Sequence, residues 1–167
     1  MKDKTNTYQE LLDEISALRK KIHEYEISEA RHRLTEKTLS LNLQKMRLLL
    51  DAGPDFFFMK NIELRYELIN LANAKFFNLN EKDILGKTDM ELMPAMAAAK
   101  CQETDRLAIK EKRLVVTIEE VDGRYYETHK FPIFDEGQII GVGGIVRDVT
   151  ENIVYEKALK ESEERFR

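Results

Sequence analysis

Apolar side chains recur at helical spacing through the first fifty residues, and neither glycine nor proline interrupts positions 7–50. Leu11, Ile15, Leu18, Ile22 and Tyr25 follow the alternating four- and three-residue steps of a coiled-coil seam. Ile27, Leu34, Leu41 and Leu48 then recur every seven residues on a stripe out of phase with the first. The positions between them (Ala30, Lys37, Gln44) are poor core residues, so the pattern predicts a break, stutter or hinge near Tyr25–Glu29. Two arrangements fit: a dimeric coiled coil through Leu11, Ile15, Leu18, Ile22, Leu34, Leu41 and Leu48, or a separate helix over 7–25 folded back on the rest. Asp51-Ala52-Gly53-Pro54 ends the helix, because glycine suits a helix C-terminus and Pro54 cannot extend it.

The period then shortens. Phe56–Met59 and Arg65–Asn70 read as short strands around the Asn61-Ile62-Glu63 turn. Leu71–Asn78 is a short helix, Asn80–Asp83 suits the start of a one-turn helix stopped by Gly86, and Pro94 opens a longer helix. From Leu114 the alternation is that of strands. LVVTIEEV, RYYETHKFPIF and IIGVGGIVRDV are separated by an Asp122-Gly123 hairpin signal and a DEGQ turn. The last strand runs into ENIVYEKALKESEERFR, a helical stretch without a breaker. Strands, small helices and strands in this order predict an α+β fold, with helices on one face of a five-stranded antiparallel sheet. The expected domains are 1–47 (helical segment), 48–150 (globular domain) and 151–167 (C-terminal helix).

Asn73-Ala74, Ile84-Leu85-Gly86-Lys87-Thr88-Asp89, Glu91-Leu92-Met93-Pro94, Asp135-Glu136-Gly137 and Arg147-Asp148-Val149-Thr150-Glu151 resemble the motifs of PAS sensor domains. The likeness is to the subgroup with a Gly-Lys-Thr-Asp block, and it covers about Leu48–Glu151. It implies a PAS fold with ligands held between the inner sheet face and the helices. Pocket candidates are Phe58, Leu92, Met93, Met96, Cys101, Thr117, Tyr126, Thr128 and Ile145; a plain core without ligand fits the same residues. The resemblance also implies a signalling junction at Asp148, Val149 and Thr150, between the last strand and the C-terminal helix. Cys101 sits in Ala-Lys-Cys-Gln-Glu rather than the Asn-Cys-Arg-Phe-Leu-Gln-like motif of photoactive flavin domains. The long helix has no histidine for a haem, which leaves no cofactor or a small metabolite. The expected role is a sensory and dimerisation module of a histidine kinase, diguanylate cyclase or multi-PAS regulator. The alternative is a ligand-free interaction scaffold.

Composition narrows this further. A formal net charge of −4 without a dense basic stripe predicts no nucleic-acid partner. A single cysteine precludes an internal disulfide and suits a reducing cytosol. No run approaches the roughly 18 apolar residues of a membrane span, so a cytoplasmic segment without membrane contact is expected. Gly86-Lys87-Thr88 imitates the tail of a phosphate loop, but Glu81 stands where its first glycine belongs. His23, His32 and His129 have no metal-ligand spacing with one another or with Cys101, and no carboxylate pair stands isolated among apolar residues. No catalytic role is expected; a homodimer and a downstream output domain are. Ser28–Arg33 resembles Ser162–Arg167, as in lead-ins between tandem modules, and an uncapped end at Arg167 suggests a longer natural protein.

Overall fold

The computed structural model describes residues 2–121 and 123–165. The chain divides between Met46 and Arg47 into two units. The first unit is helical throughout its described residues, and its helix, α1 (Lys2–Asp51), ends inside the second. The break or hinge expected near Tyr25–Glu29 is not there. The stripe changes phase on the helix surface, but backbone N–H to C=O bonding does not depend on which side chains are apolar, and no proline or glycine removes a bond. The seam residues Leu11, Ile15, Leu18, Ile22, Leu34, Leu41 and Leu48 are all exposed.

The second unit holds a five-stranded antiparallel sheet in the order β2-β1-β5-β4-β3. Its strands are β1 (Phe56–Asn61), β2 (Tyr66–Ile69), β3 (Val115–Val121), β4 (Arg124–Asp135) and β5 (Gln138–Asp148). Four helices lie between β2 and β3 in sequence: α2 (Leu71–Phe77), α3 (Glu81–Ile84), α4 (Asp89–Leu92) and α5 (Ala95–Glu111). After β5 comes α6 (Thr150–Arg165). The expected hairpin at Asp122-Gly123 falls partly on Asp122, outside the described residues; Gly123 has φ of 77°. The 166–167 end of the sequence repeat lies outside them too.

Strand pairing fixes which side chains share a face. Phe58 is opposite Gly144, Lys60 opposite Val142, and Lys130 opposite Gly144 from the other side. Phe56, Phe58, Lys60, Val115, Thr117, Glu119, Tyr126, Thr128, Lys130, Val142 and Val146 therefore point to the helix-bearing face. The glycines of β5 let neighbouring groups cross it closely, Gly144 on this face. The ring of Phe58 lies where a Cβ on Gly144 would stand, 2.1 Å from it, and the Lys60 carbonyl oxygen is 2.0 Å from a Cβ on Gly141.

Two apolar clusters line the inner face. Phe58, Tyr66, Ile69, Ala74 and Ile84 form one; Leu64, Ala108, Val115 and Val142 form the other. The end of α1 is tied in by Asn70, which is fully buried. Its amide donates to the carbonyls of Leu50 (2.8 Å) and Asp55 (2.9 Å), and its Oδ1 accepts from the N–H groups of Phe57 and Asn73.

Candidate functional site

The middle of the inner face carries two buried lysines and two buried aspartates. Lys60 continues the Phe56, Phe58 alternation of β1, and Lys130 continues Tyr126, Thr128 on β4, so both lysines enter the interior. Two aspartates meet them. Asp89 opens α4, held by the Glu91 carboxylate, which accepts from the Thr88 N–H (2.9 Å) and hydroxyl (3.0 Å). Asp105 shares the sheet-facing stripe of α5 with Ala98, Cys101 and Ala108.

Lys60 Nζ donates to Asp89 Oδ2 (2.6 Å) and Asp105 Oδ2 (2.7 Å). Tyr66 donates its hydroxyl to Asp89 Oδ1 at 2.8 Å. Lys130 Nζ donates to the Cys101 carbonyl and Thr104 Oγ1, each at 2.7 Å. It also stands 2.8 Å from Asp105 Oδ1, a close ion pair whose angles miss hydrogen-bond geometry and leave that oxygen without an aligned donor. Asp89 and Asp105 are 0% exposed, Lys60 1% and Lys130 2%. Burial opposes the charge on Lys60, but Asp105 and Asp89 outweigh it and hold the ammonium above the usual lysine range. Burial and the neighbouring Asp89 raise the Tyr66 phenol well above its ordinary value. The set is electrically closed: two cations, two anions and a phenol that stays protonated.

Asp89 and Asp105 stand far apart in the sequence, where no isolated carboxylate pair was seen, and the fold brings them together on Lys60. The signal was available in the period-two alternation that puts Lys60 beside Phe58 and Lys130 beside Thr128. Two lysines on an inner face require buried anions.

The pocket candidates separate on the same logic. Phe58, Tyr126 and Thr128 are buried on the inner face, Thr117 is half-buried there, and Leu92 packs against the Phe58 cluster. Met93, at the end of α4, and Cys101, on the sheet-facing stripe of α5, are half-buried. Burial pushes the Cys101 thiol up to about 11, so near neutral pH it is a thiol and not a thiolate ligand or nucleophile. Met96 and Ile145 do not join them. Met96 is 89% exposed, lying about 200° around the helix from Ala98. Ile145 pairs with Phe57 and His129 and so points to the opposite face of the sheet. Gly141, Gly143 and Gly144 hide the alternation that would have shown this.

The junction residues form a second constellation. Asp148 Oδ1 accepts from the Thr150 N–H (3.0 Å) and hydroxyl (2.5 Å), and Oδ2 accepts from Arg124 (3.0 Å). Those contacts hold the Asp148 carboxyl below the usual range, the Thr150 hydroxyl and N–H foremost. Thr150 Oγ1 in turn accepts from the Tyr125 N–H (2.9 Å), and the Val149 N–H donates to the Tyr125 carbonyl (2.8 Å). Lys157, two turns into α6, donates to the Tyr125 hydroxyl (3.0 Å) and lies over its ring. Beside it, Arg147 grips Asp55 through Nε and Nη2. A surface cleft lined by Arg124, Asp148, Thr150, Glu151 and Asn152 opens at this point.

Comparison with known proteins is consistent with this geometry. A family model described as PAS fold matches residues 50–153. The methanogenesis regulatory histidine kinase FilI of Methanothrix harundinacea is 30% identical over 118 residues, which are 68% of this chain and 13% of that protein. The chain thus spans a small part of the curated relative it matches. The PAS domain of Bordetella pertussis BvgS is 26% identical with a TM-score of 0.53, covering 75% of this chain and 98% of that one.

The VqmA–ligand–DNA complex of Vibrio cholera contains a chain 25% identical, with a TM-score of 0.55, covering 65% of this chain and 51% of that one. That last likeness corrects the expectation that excluded nucleic acid. A domain of this fold can form half of a chain found on DNA, and the net charge of one module does not decide what an attached module binds. Among the described residues, no helix is long and apolar enough to cross a membrane, and no group of three His, Cys, Asp or Glu side chains is placed to hold a metal ion.

Proposed function

The chain belongs to the PAS-fold family, and from that premise we propose that it is the sensing module of a longer signal-transduction protein. It reads the state of a ligand or partner at the inner sheet face and relays it through the helices that flank the sheet. The observation that carries this is the Asp148 junction. One carboxylate holds the first turn of α6 and, through Arg124 and Thr150, the first residues of β4. A change in the position of β4 relative to β5 therefore reaches α6 without passing through a flexible linker. The output, whether phosphoryl transfer or DNA binding, lies in another domain, and this module itself catalyses nothing.

Dimerisation belongs to the same reading. The apolar seam on α1 is exposed along its length and matches what a helix offers to a second copy of itself. A ligand-free scaffold is the second reading, and the closed ionic cluster favours it, since protein groups fill the middle of the inner face.

The test is Asp148→Ala in the intact signalling protein. The domain should remain folded by circular dichroism while output no longer follows the stimulus. Normal stimulus dependence in that variant would sink the relay.

A further inference from the structure

Among the described residues, five charged side chains are buried: Lys60, Asp89, Asp105, Glu119 and Lys130. Four of them close on one another. Glu119 is the one left over. It is 9% exposed, and the single hydrogen bond to its carboxylate among the described residues comes from Thr117 Oγ1 at 3.5 Å. No described lysine, arginine or histidine pairs with it, while both buried lysines are engaged by the aspartates. A buried carboxylate without a counter-charge is costly, and the cost is relieved when a cation is brought to it.

What surrounds Glu119 suits an organic cation. In the β3–β4 register it lies directly opposite Tyr126, on the inner face, which puts the two side chains within contact distance. The Tyr126 ring stands 6.0 Å from the rings of both Phe56 and Phe76, and those two are 5.0 Å apart. Tyr126 thus stands beside the carboxylate, and the Phe56 and Phe76 rings pack on Tyr126. Phe76 is 46% exposed, which opens the cluster to solvent. The Cys101 thiol, also on this side of α5, stays uncharged near neutral pH and adds no competing anion.

Resting on the sensory reading above, we infer that the sensed ligand is a small organic cation, an amine or quaternary ammonium compound. Its charge sits against Glu119 and its apolar body against Tyr126, Phe56 and Phe76. The rings attract a cation through their negative faces, and the carboxylate supplies the full counter-charge.

The test is calorimetric titration of the whole 167-residue chain with three probes of similar size: 2-phenylethylamine, 2-phenylethanol and 3-phenylpropionate. The amine should bind, and Glu119→Gln should weaken it roughly tenfold or more while leaving the affinity for the alcohol unchanged. Phe76→Leu, at a half-exposed position that folding tolerates, should weaken amine and alcohol together. Circular dichroism establishes that each variant is folded. Acid or alcohol binding as tightly as the amine, or amine affinity indifferent to Glu119→Gln, overturns the ligand class and leaves the sensory reading standing. No heat from any of the three overturns the site itself. The relay is judged separately, by Asp148→Ala.

Discussion

Lys60 shows how one side chain can reorganise a core. Alone on the inner face it would be intolerable; with Asp89 and Asp105 within 2.7 Å it becomes the centre of a cluster that ties β1 to α4 and α5. Lys60→Met takes the cation from buried Asp89, which keeps the Tyr66 hydroxyl, while Asp105 keeps Lys130; unfolding in urea should come about 3–5 kcal/mol earlier. The cluster also sets an alkaline limit. Both Lys60 and Tyr66 hold protons more tightly folded than unfolded. Above about pH 10 the unfolded chain therefore releases protons that the native state keeps, and stability falls as pH rises. Below that pH both groups are protonated in either state, so their contribution is constant. Tyr66→Phe should make the alkaline fall shallower, as followed by chemical denaturation between pH 8 and 11.

At the scale of elements, β5 depends on having no side chains where its neighbours cross it. Gly144→Ala drives a Cβ into the ring of Phe58, which is itself buried and packed against Tyr66. A loss of about 1–3 kcal/mol is expected from thermal or urea unfolding. Asn70 does for the end of α1 what Asp148 does for the start of α6. Asn70→Ala leaves the carbonyls of Leu50 and Asp55 and the N–H groups of Phe57 and Asn73 without their partner. At about 1 kcal/mol or more for each buried group that stays unsatisfied, a loss of about 2–4 kcal/mol follows. Hydrogen exchange should locate it in the last turn of α1 and the first residues of β1 and α2.

At the scale of the molecule, the two anchors meet at one end of the sheet. Asp55, just after α1, is gripped by Arg147, the neighbour of Asp148. Beside the β1–β5 pairing, this ion pair joins the exit of one flanking helix to the entrance of the other. Asp55→Arg or Arg147→Asp alone should raise hydrogen exchange in the first turn of α6. The double exchange should restore protection if the pair couples the two ends. Restored protection is the expected result, and equal exchange in the single variants and the parent would show the pair to be passive. For the exposed seam of α1, sedimentation should report a dimer that Leu18→Glu with Leu41→Glu converts to monomer.

The sequence alone determined the order of elements, because periodicity and breakers are local. The uninterrupted spacing over 7–50, Pro54, Pro94, the alternation from Val115 and the turn residues at Glu136-Gly137 each act within a few residues. It also identified the strand-to-helix junction, since Asp148 and Thr150 are neighbours in the chain. Tertiary structure alone decided which groups meet on the inner face. Lys60, Asp89, Asp105 and Lys130 are separated by up to 70 positions, and only the β2-β1-β5-β4-β3 pairing and the placement of α4 and α5 bring them together. It likewise sent Ile145 to the outer face and Met96 to solvent. The glycines of β5 carry no side chain to reveal a face, and the sheet-facing stripe of α5 is defined by what it packs against.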